Sequence, residues 1–196
     1  MIKENYSSQN LWQKVNLLTE EQIYTLTKGL KWTVKNIPDA VLIGGTATVN
    51  YVVNERELTP DLDFMITDIW SVKTKLNQDD IQFKSLNIGT GKSFGIVVDK
   101  HNTDYLDSNV GNLTLNKLIL KTSNTTTIGG YHLKIVPVEL LVILKIELGR
   151  DKDLNDALSL LSIGDCDRNE YISYANQLKD SLQEYNAIIE YQKIIK

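Results

Sequence analysis

Apolar positions recur at helical spacing near the start of the chain and give way to short runs afterwards. Leu11, Val15, Leu18, Ile23, Leu26 and Leu30 share one face of one or two helices, with Thr19 as an N-cap before Glu20, Glu21 and Gln22. Asn36 to Asp39, which contains Pro38, ends that stretch. Ala40 to Ile43 reads as a short buried strand, Gly44 and Gly45 as a tight turn, and Thr46 to Asn54 as a helix of about two turns. Leu62 to Ile66 predicts a second strand and Asp68 to Leu76 a helix. Phe83 to Leu86 and Phe94 to Val98 predict strands joined by a glycine-rich turn (Gly89, Gly91, Gly95). Thr103 to Leu106, Lys117 to Thr122 and Tyr131 to Val136 predict further strands, with the Asn-, Ser- and Thr-rich stretch Thr122 to Thr127 as an exposed loop.

From Pro137 the pattern turns helical. Pro137 suits the first helical position and Glu139 the positive end of the helix dipole. A helix to about Leu148 is followed by Asp151 to Leu161, which continues it or restarts after Gly149. Ile163 to Arg168 reads as a polar turn. Asn169 onward reads as one more helix, with Ile172, Leu178, Leu182, Tyr185 and Ile189 in the core. The whole predicts an α+β fold: a mixed β-sheet flanked by helices, with a helical C-terminal part.

Composition narrows the possibilities. The chain has 196 residues, enough for one full domain, and its 42% hydrophobic content supports a sizeable core. A net charge of −4 argues against a protein that coats nucleic acid through a broad basic face. Cys166 is the only cysteine, so no intrachain disulfide forms, as expected in a reducing cytosol. The N-terminal MIKENYSSQN lacks the apolar core of a signal peptide. The most apolar stretch, Ile135 to Leu148, is interrupted by Pro137, Glu139, Lys145 and Glu147. The expectation is a cytoplasmic protein with no membrane segment.

Two local patterns carry chemistry. Asp61 and Asp63 flank Leu62, so on a strand both carboxylates share one face. Such a pair is either a strand end with two solvated acids or a hard oxygen site for Mg²⁺ or Mn²⁺, which would relieve their repulsion. Upstream, the Gly44–Gly45–Thr46 turn joins a buried strand to a helix. It is a plain strand-to-helix turn or a cradle for phosphates, where glycine lets backbone approach an anion and the helix start offers free N–H groups. It is neither a P-loop nor a G-x-G-x-x-G turn. The two patterns in series are more specific than either alone.

The remaining reactive residues read blandly. His101, in a polar turn, is expected to be solvated, and His132, in a strand, to be a surface residue or a satisfied one; no spacing supports zinc. The acids of GDCDR raise the Cys166 thiol rather than activate it. Trp12, Trp32 and Trp70 are expected in the core or between helices.

This series resembles the nucleotidyltransferase fold of the DNA polymerase β superfamily, and within it the small AbiEii-like and related minimal bacterial nucleotidyltransferases. The likeness rests on LIGGTA at Leu42 to Ala47, Arg56, Thr59 and DLDFM at Asp61 to Met65. Glu57 and Leu58 separate Arg56 from Thr59, a wider gap than the family usually shows. A second match lies in IGGYHLKIVPVELLVILKIELGRDKDLNDALSLL, with Pro137, Glu139, Lys145, Arg150, Lys152, Asp153 and Asp156 in the family's order. On one continuous helix Lys145, Lys152 and Asp156 fall within about 40° of one another; taken alone, they also suit surface ion pairing.

The resemblance implies a catalytic domain over residues 1–136, with the helical part 137–196 packed on it. It implies metal ligands and catalytic groups at Asp61, Asp63 and a third carboxylate on a neighbouring strand. Asp104 is preferred for that role, ahead of Asp99 and then Asp107. Nucleotide would meet Gly44, Gly45, Thr46, Arg56, Lys145, Arg150 and Lys152. The implied reaction moves an NMP from an NTP to an acceptor hydroxyl, with Mg²⁺ or Mn²⁺ as cofactor. The acceptor would be a tRNA 3′ end, a protein side chain or a small molecule. AbiEii-like relatives are toxins of toxin–antitoxin pairs, which implies an antitoxin partner. Two rivals stay open: a degenerate member of the fold that binds nucleotide or a partner, and a glycosyltransferase whose D-x-D grips a nucleotide sugar.

Overall fold

The computed structural model describes residues 18–52, 61–87, 93–162 and 166–195. Its first helix, α1 (Glu20–Asn36), starts at a capping box: the Gln22 amide N–H donates to Thr19 Oγ1 and the Thr19 N–H to Gln22 Oε1. Two acids in its first turn and Lys35 in its last match the helix dipole. The chain then runs β1 (Val41–Ile43), α2 (Gly44–Tyr51), β2 (Leu62–Ile66), α3 (Ile69–Gln78), β3 (Lys84–Asn87), β4 (Ser93–Val98) and β5 (Thr103–Asp107). There follow α4 (Leu113–Thr122), β6 (Asn124–Ile128), β7 (Tyr131–Ile135), α5 (Val138–Leu148), α6 (Asp151–Ser162), α7 (Arg168–Leu178) and α8 (Tyr185–Tyr191). Short 3₁₀ turns occupy Asp99–His101, Lys179–Ser181 and Gln192–Ile194.

The strands form one mixed sheet in the order β3-β4-β5-β2-β1-β7-β6. Residues paired across neighbouring strands project to the same face. One such row is Ser85, Ile96, Tyr105, Phe64 and Leu42, of which the last four are fully buried. Helix α1 packs on this face: Thr33 Oγ1 and Tyr105 Oη share a 2.7 Å hydrogen bond, and Trp32 stands edge-on to the Tyr105 ring. Trp32 Nε1 also donates to Asp79 at the end of α3, tying the two helices together. The row on the other face is Lys84, Val97, Asp104, Asp63 and Ile43. Helix α2 packs against β1 and β2 and also touches α5 and α6.

Helix α5 is apolar nearly all round, which suits a helix enclosed by others. Its buried polar side chains are each partnered: Glu139 accepts the Asp167 N–H at 2.8 Å, and Lys145 is ion-paired to α6.

Three elements differ from the sequence reading. Residues 117–122 are the end of helix α4, not a strand. Leu115 and Ile119 bury one helical face, and the Asn112 side chain caps the start by accepting the Leu115 N–H. The expected loop at 122–127 is largely β6, an edge strand whose first two residues are exposed. The Gly129–Gly130 turn, with φ of 57° and 84°, brings it onto β7. The single C-terminal helix is broken after Leu178. There the Glu147 carboxylate accepts the N–H groups of Gln183 and Glu184 and sets the start of α8 from outside that helix.

Candidate active site

The site begins where β1 meets α2. Gly44 has φ of +69°, a conformation that costs an L side chain about 1–2 kcal/mol. Its neighbour explains the rest: Ile43 pairs with Asp63, and a Cβ on Gly44 would lie 2.0 Å from Asp63 Oδ2. Only glycine allows this approach of turn to carboxylate. The Gly45 N–H is hydrogen-bonded to Asp63. The buried Thr46 hydroxyl donates to the Asp61 carbonyl at 2.6 Å. The turn is therefore fastened to both aspartates of the D-x-D pattern.

The carboxylates gather at the N-terminal ends of two parallel strands. Asp63 and Asp104 are direct partners in the β2–β5 ladder, and Asp61 immediately precedes β2. Burial pushes the Asp63 carboxyl up to about 6, with the charges of Asp61 and Asp104 adding to it; the Gly45 hydrogen bond and the Lys145 charge oppose the rise. Asp104 is likewise raised, by burial first and then by Asp61 and Asp99. Asp99 itself is largely exposed and ion-paired to Lys84. Asp107 accepts the Asn109 N–H in a turn. Strand register thus brings Asp104, rather than Asp99 or Asp107, beside Asp63.

These groups suit a hard divalent cation. Asp61 Oδ1 is buried with no hydrogen-bond partner, and its neighbours are carboxylates whose repulsion a cation would relieve. Among the described residues, no group of three or more acids, histidines or cysteines is placed to hold a metal ion by itself. Mg²⁺ seldom takes such a cage; it is bound through one or two carboxylates, water and substrate phosphates.

The second cluster sits elsewhere than on one continuous helix. Helix α5 stops at Leu148, with Gly149 in the left-handed conformation, and α6 restarts at Asp151. Lys145 is buried rather than on the surface, 2.9 Å from Asp153 and 2.7 Å from Asp156. Arg150 is mostly exposed and donates to Asp153. Burial pushes the Asp153 carboxyl up, but Arg150 and Lys145 outweigh that and hold it below the usual range. Lys152 is exposed at the start of α6. Of these cations, Lys145 reaches the D-x-D pair electrostatically. Arg56 and Thr59 lie outside the described residues.

Other residues refine the picture. His101 is buried, not solvated, and its Nδ1 has no partner; burial, then the charges of Lys28 and Lys100, hold its pKa below the ordinary value. His132 is exposed and bonded to Thr127. Cys166 is buried, and burial with Glu139 and Asp167 pushes its thiol up to about 12. Trp70 is 72% exposed rather than packed, with Lys73 over its ring. Trp12 lies outside the described residues. Lys84, in the same sheet row as Asp104, carries no motif that would single it out in sequence.

Among the described residues, no helix is long and apolar enough to cross a membrane. No curated protein matches the chain. The structure is similar to that of an antigenic nucleotidyltransferase-like protein from Paracoccidioides brasiliensis, with a TM-score of 0.53 over 90% of this chain and 94% of that one. At 16% identity the likeness is one of fold. It accords with the mixed sheet and flanking helices expected of a nucleotidyltransferase. Residues 25–194 match the family described as nucleotidyl transferase of unknown function (DUF2204), and the chain belongs to that family.

Proposed function

We propose that this protein is a metal-dependent nucleotidyltransferase that moves an NMP from an NTP to an acceptor hydroxyl. The observation that carries the reading is the contact of the Gly44 turn with Asp63, in register with Asp104. Asp61, Asp63 and Asp104 would hold Mg²⁺ or Mn²⁺. The cation supplies neutralisation of the carboxylates and of charge growing on the phosphate oxygens. The Gly44 turn and the N–H groups at the start of α2 other than that of Gly45, which donates to Asp63, would receive the β- and γ-phosphates. Thr46 positions Asp61 through its carbonyl, and Lys145 tempers the negative charge around Asp63.

The acceptor oxygen forms its bond to the α-phosphorus as the bond to the bridging oxygen of pyrophosphate breaks. The acceptor proton passes to Asp104, whose burial favours the protonated form. Arg150, Lys152 and Arg56 are assigned to phosphate or acceptor contacts made once substrate is bound. The proposed setting is the cytoplasm. A tRNA 3′ end and a protein hydroxyl are the acceptors of the toxin-like reading, in which an antitoxin would be the partner.

The rival is a nucleotide-binding module without turnover. It draws on the internal engagement of Thr46, Lys145 and Arg150. The test incubates purified protein with Mg²⁺ or Mn²⁺ and each α-labelled NTP, together with total tRNA or cell extract. An Asp61→Ala/Asp63→Ala variant runs in parallel. Label on an acceptor with the unaltered protein alone supports transfer. Calorimetric NTP binding without label supports the module, and the absence of both label and binding sets the nucleotidyl reading aside.

A further inference from the structure

A cavity of about 660 Å³ opens at the β3 edge of the sheet, lined by Asp80, Gln82, Phe83, Lys84, Asp99 and Lys100. Its position relative to the carboxylates follows from the strand order. Lys84 pairs with Val97, Val97 with Asp104, and Asp104 with Asp63. Neighbouring strands stand about 4.8 Å apart, so the cavity wall at Lys84 begins about 10 Å from Asp104 along one row of the sheet. The Gly44 turn lies at the opposite side of Asp63, beside β1.

Phosphoryl transfer keeps the attacking and leaving oxygens roughly in line. With pyrophosphate leaving over the Gly44 turn, the acceptor hydroxyl must arrive from the β5 side, across β4 and β3. We propose that the cavity at Gln82, Lys84 and Asp99 is the acceptor site, and that the acceptor is a small hydroxyl-bearing molecule without phosphate groups. This rests on the nucleotidyl-transfer reading above.

Size and charge select that class. The volume falls in the range of small-molecule pockets, about 300–1,000 Å³. Two lysines face two aspartates in the lining, and Lys84 is already paired with Asp99. A nucleic-acid strand brings a negative charge with each nucleotide and needs a surplus of cations along its path. Here it would meet a balanced lining and then Asp104 and Asp63. The half-buried Phe83 ring and the Gln82 amide offer an apolar wall and a hydrogen-bonding group to a neutral or zwitterionic guest.

The lone native cysteine makes a clean test possible. Cys166 is buried and a poor nucleophile, so Lys100→Cys gives a single reactive thiol in the exposed part of the cavity lining, where a bulky maleimide blocks entry. The unblocked and blocked protein receive α-labelled NTP and Mn²⁺ with three acceptor pools: an ultrafiltered small-molecule extract, total tRNA and extract protein. Calorimetry measures Mn²⁺–NTP binding in each form.

The expected result is label in the small-molecule pool, reduced about tenfold or more by the block, with NTP affinity changed less than about twofold. Label on tRNA or protein instead, small-molecule label undiminished by the block, or NTP binding with no label in any pool each overturns the acceptor assignment. Failure of the unaltered protein to bind NTP defeats the nucleotidyl reading itself, and the acceptor site with it.

Discussion

Replacing Asp63 by asparagine should stabilise the metal-free protein near neutral pH while abolishing its transfer activity. The Asp63 carboxyl sits at about 6 against an ordinary 3.8, so keeping it ionised in the metal-free fold costs about 3 kcal/mol. The folded chain holds this proton more tightly than the unfolded chain. The contribution of Asp63 to stability is therefore full below the ordinary pKa and is lost as pH rises through about 6. Asparagine removes the charge, and its side-chain oxygen can still accept the Gly45 N–H. The attraction of Lys145 is already contained in that figure, so the net gain is about 2–3 kcal/mol at pH above about 7. For a chain of this length that corresponds to roughly 4–12 °C in Tm. Urea or thermal unfolding in EDTA, from about pH 4 to pH 8, reads both the gain and the loss of the Asp63 slope. Mn²⁺ at about a hundred times its Kd should then add about 2.7 kcal/mol to the parent and little to the variant. A variant no more stable than the parent above about pH 6.5, with the parent's pH slope intact, would refute the account of the carboxylate cluster.

Gly44→Ala should cost more than about 2 kcal/mol in urea unfolding, since left-handed strain and the clash with Asp63 act together, and it should abolish NTP binding by calorimetry. Lys145→Met should destabilise by about 3–5 kcal/mol by leaving Asp153 and Asp156 without their buried counter-charge; adding Asp153→Asn and Asp156→Asn should recover much of that loss in the same assay. Asp104→Asn should lower the rate of nucleotide transfer by about 10²–10⁴-fold, whereas Asp107→Asn should change it only about two- to threefold, measured with α-labelled NTP.

Local covalent spacing made much of the fold legible. The strand Leu62–Ile66, the end of α5 at Leu148 and the Thr19 cap stand where the sequence placed them, because alternation, helical period and capping chemistry act over a few neighbouring residues. The misreadings had non-local causes. The apolar run at 117–122 satisfies both strand and helix patterns, and burial of Leu115 with Ile119 selected the helix. The threonines of β6 look like a loop because an edge strand needs only one partner and leaves side chains in water. The break before α8 depends on Glu147, 36 residues away from Gln183.

The candidate site divides along the same line. Gly-Gly and D-x-D could be seen because each pattern is a few residues long, and its chemistry follows from glycine's reach and from alternation on a strand. The sequence alone preferred Asp104 with Asp99 and Asp107 as rivals, and left open whether the helix of Lys145 continues past Gly149 or restarts after it. Pairing of β2 with β5 set Asp104 beside Asp63, while the Gly149 break folded Asp153 and Asp156 back onto a buried lysine. Lys84 and the cavity around it entered only through the order β3-β4-β5-β2. A sequence specifies short-range geometry through backbone preference and side-chain period. Which distant carboxylates and lysines become neighbours depends on strand order and register, set by burial of the entire hydrophobic core.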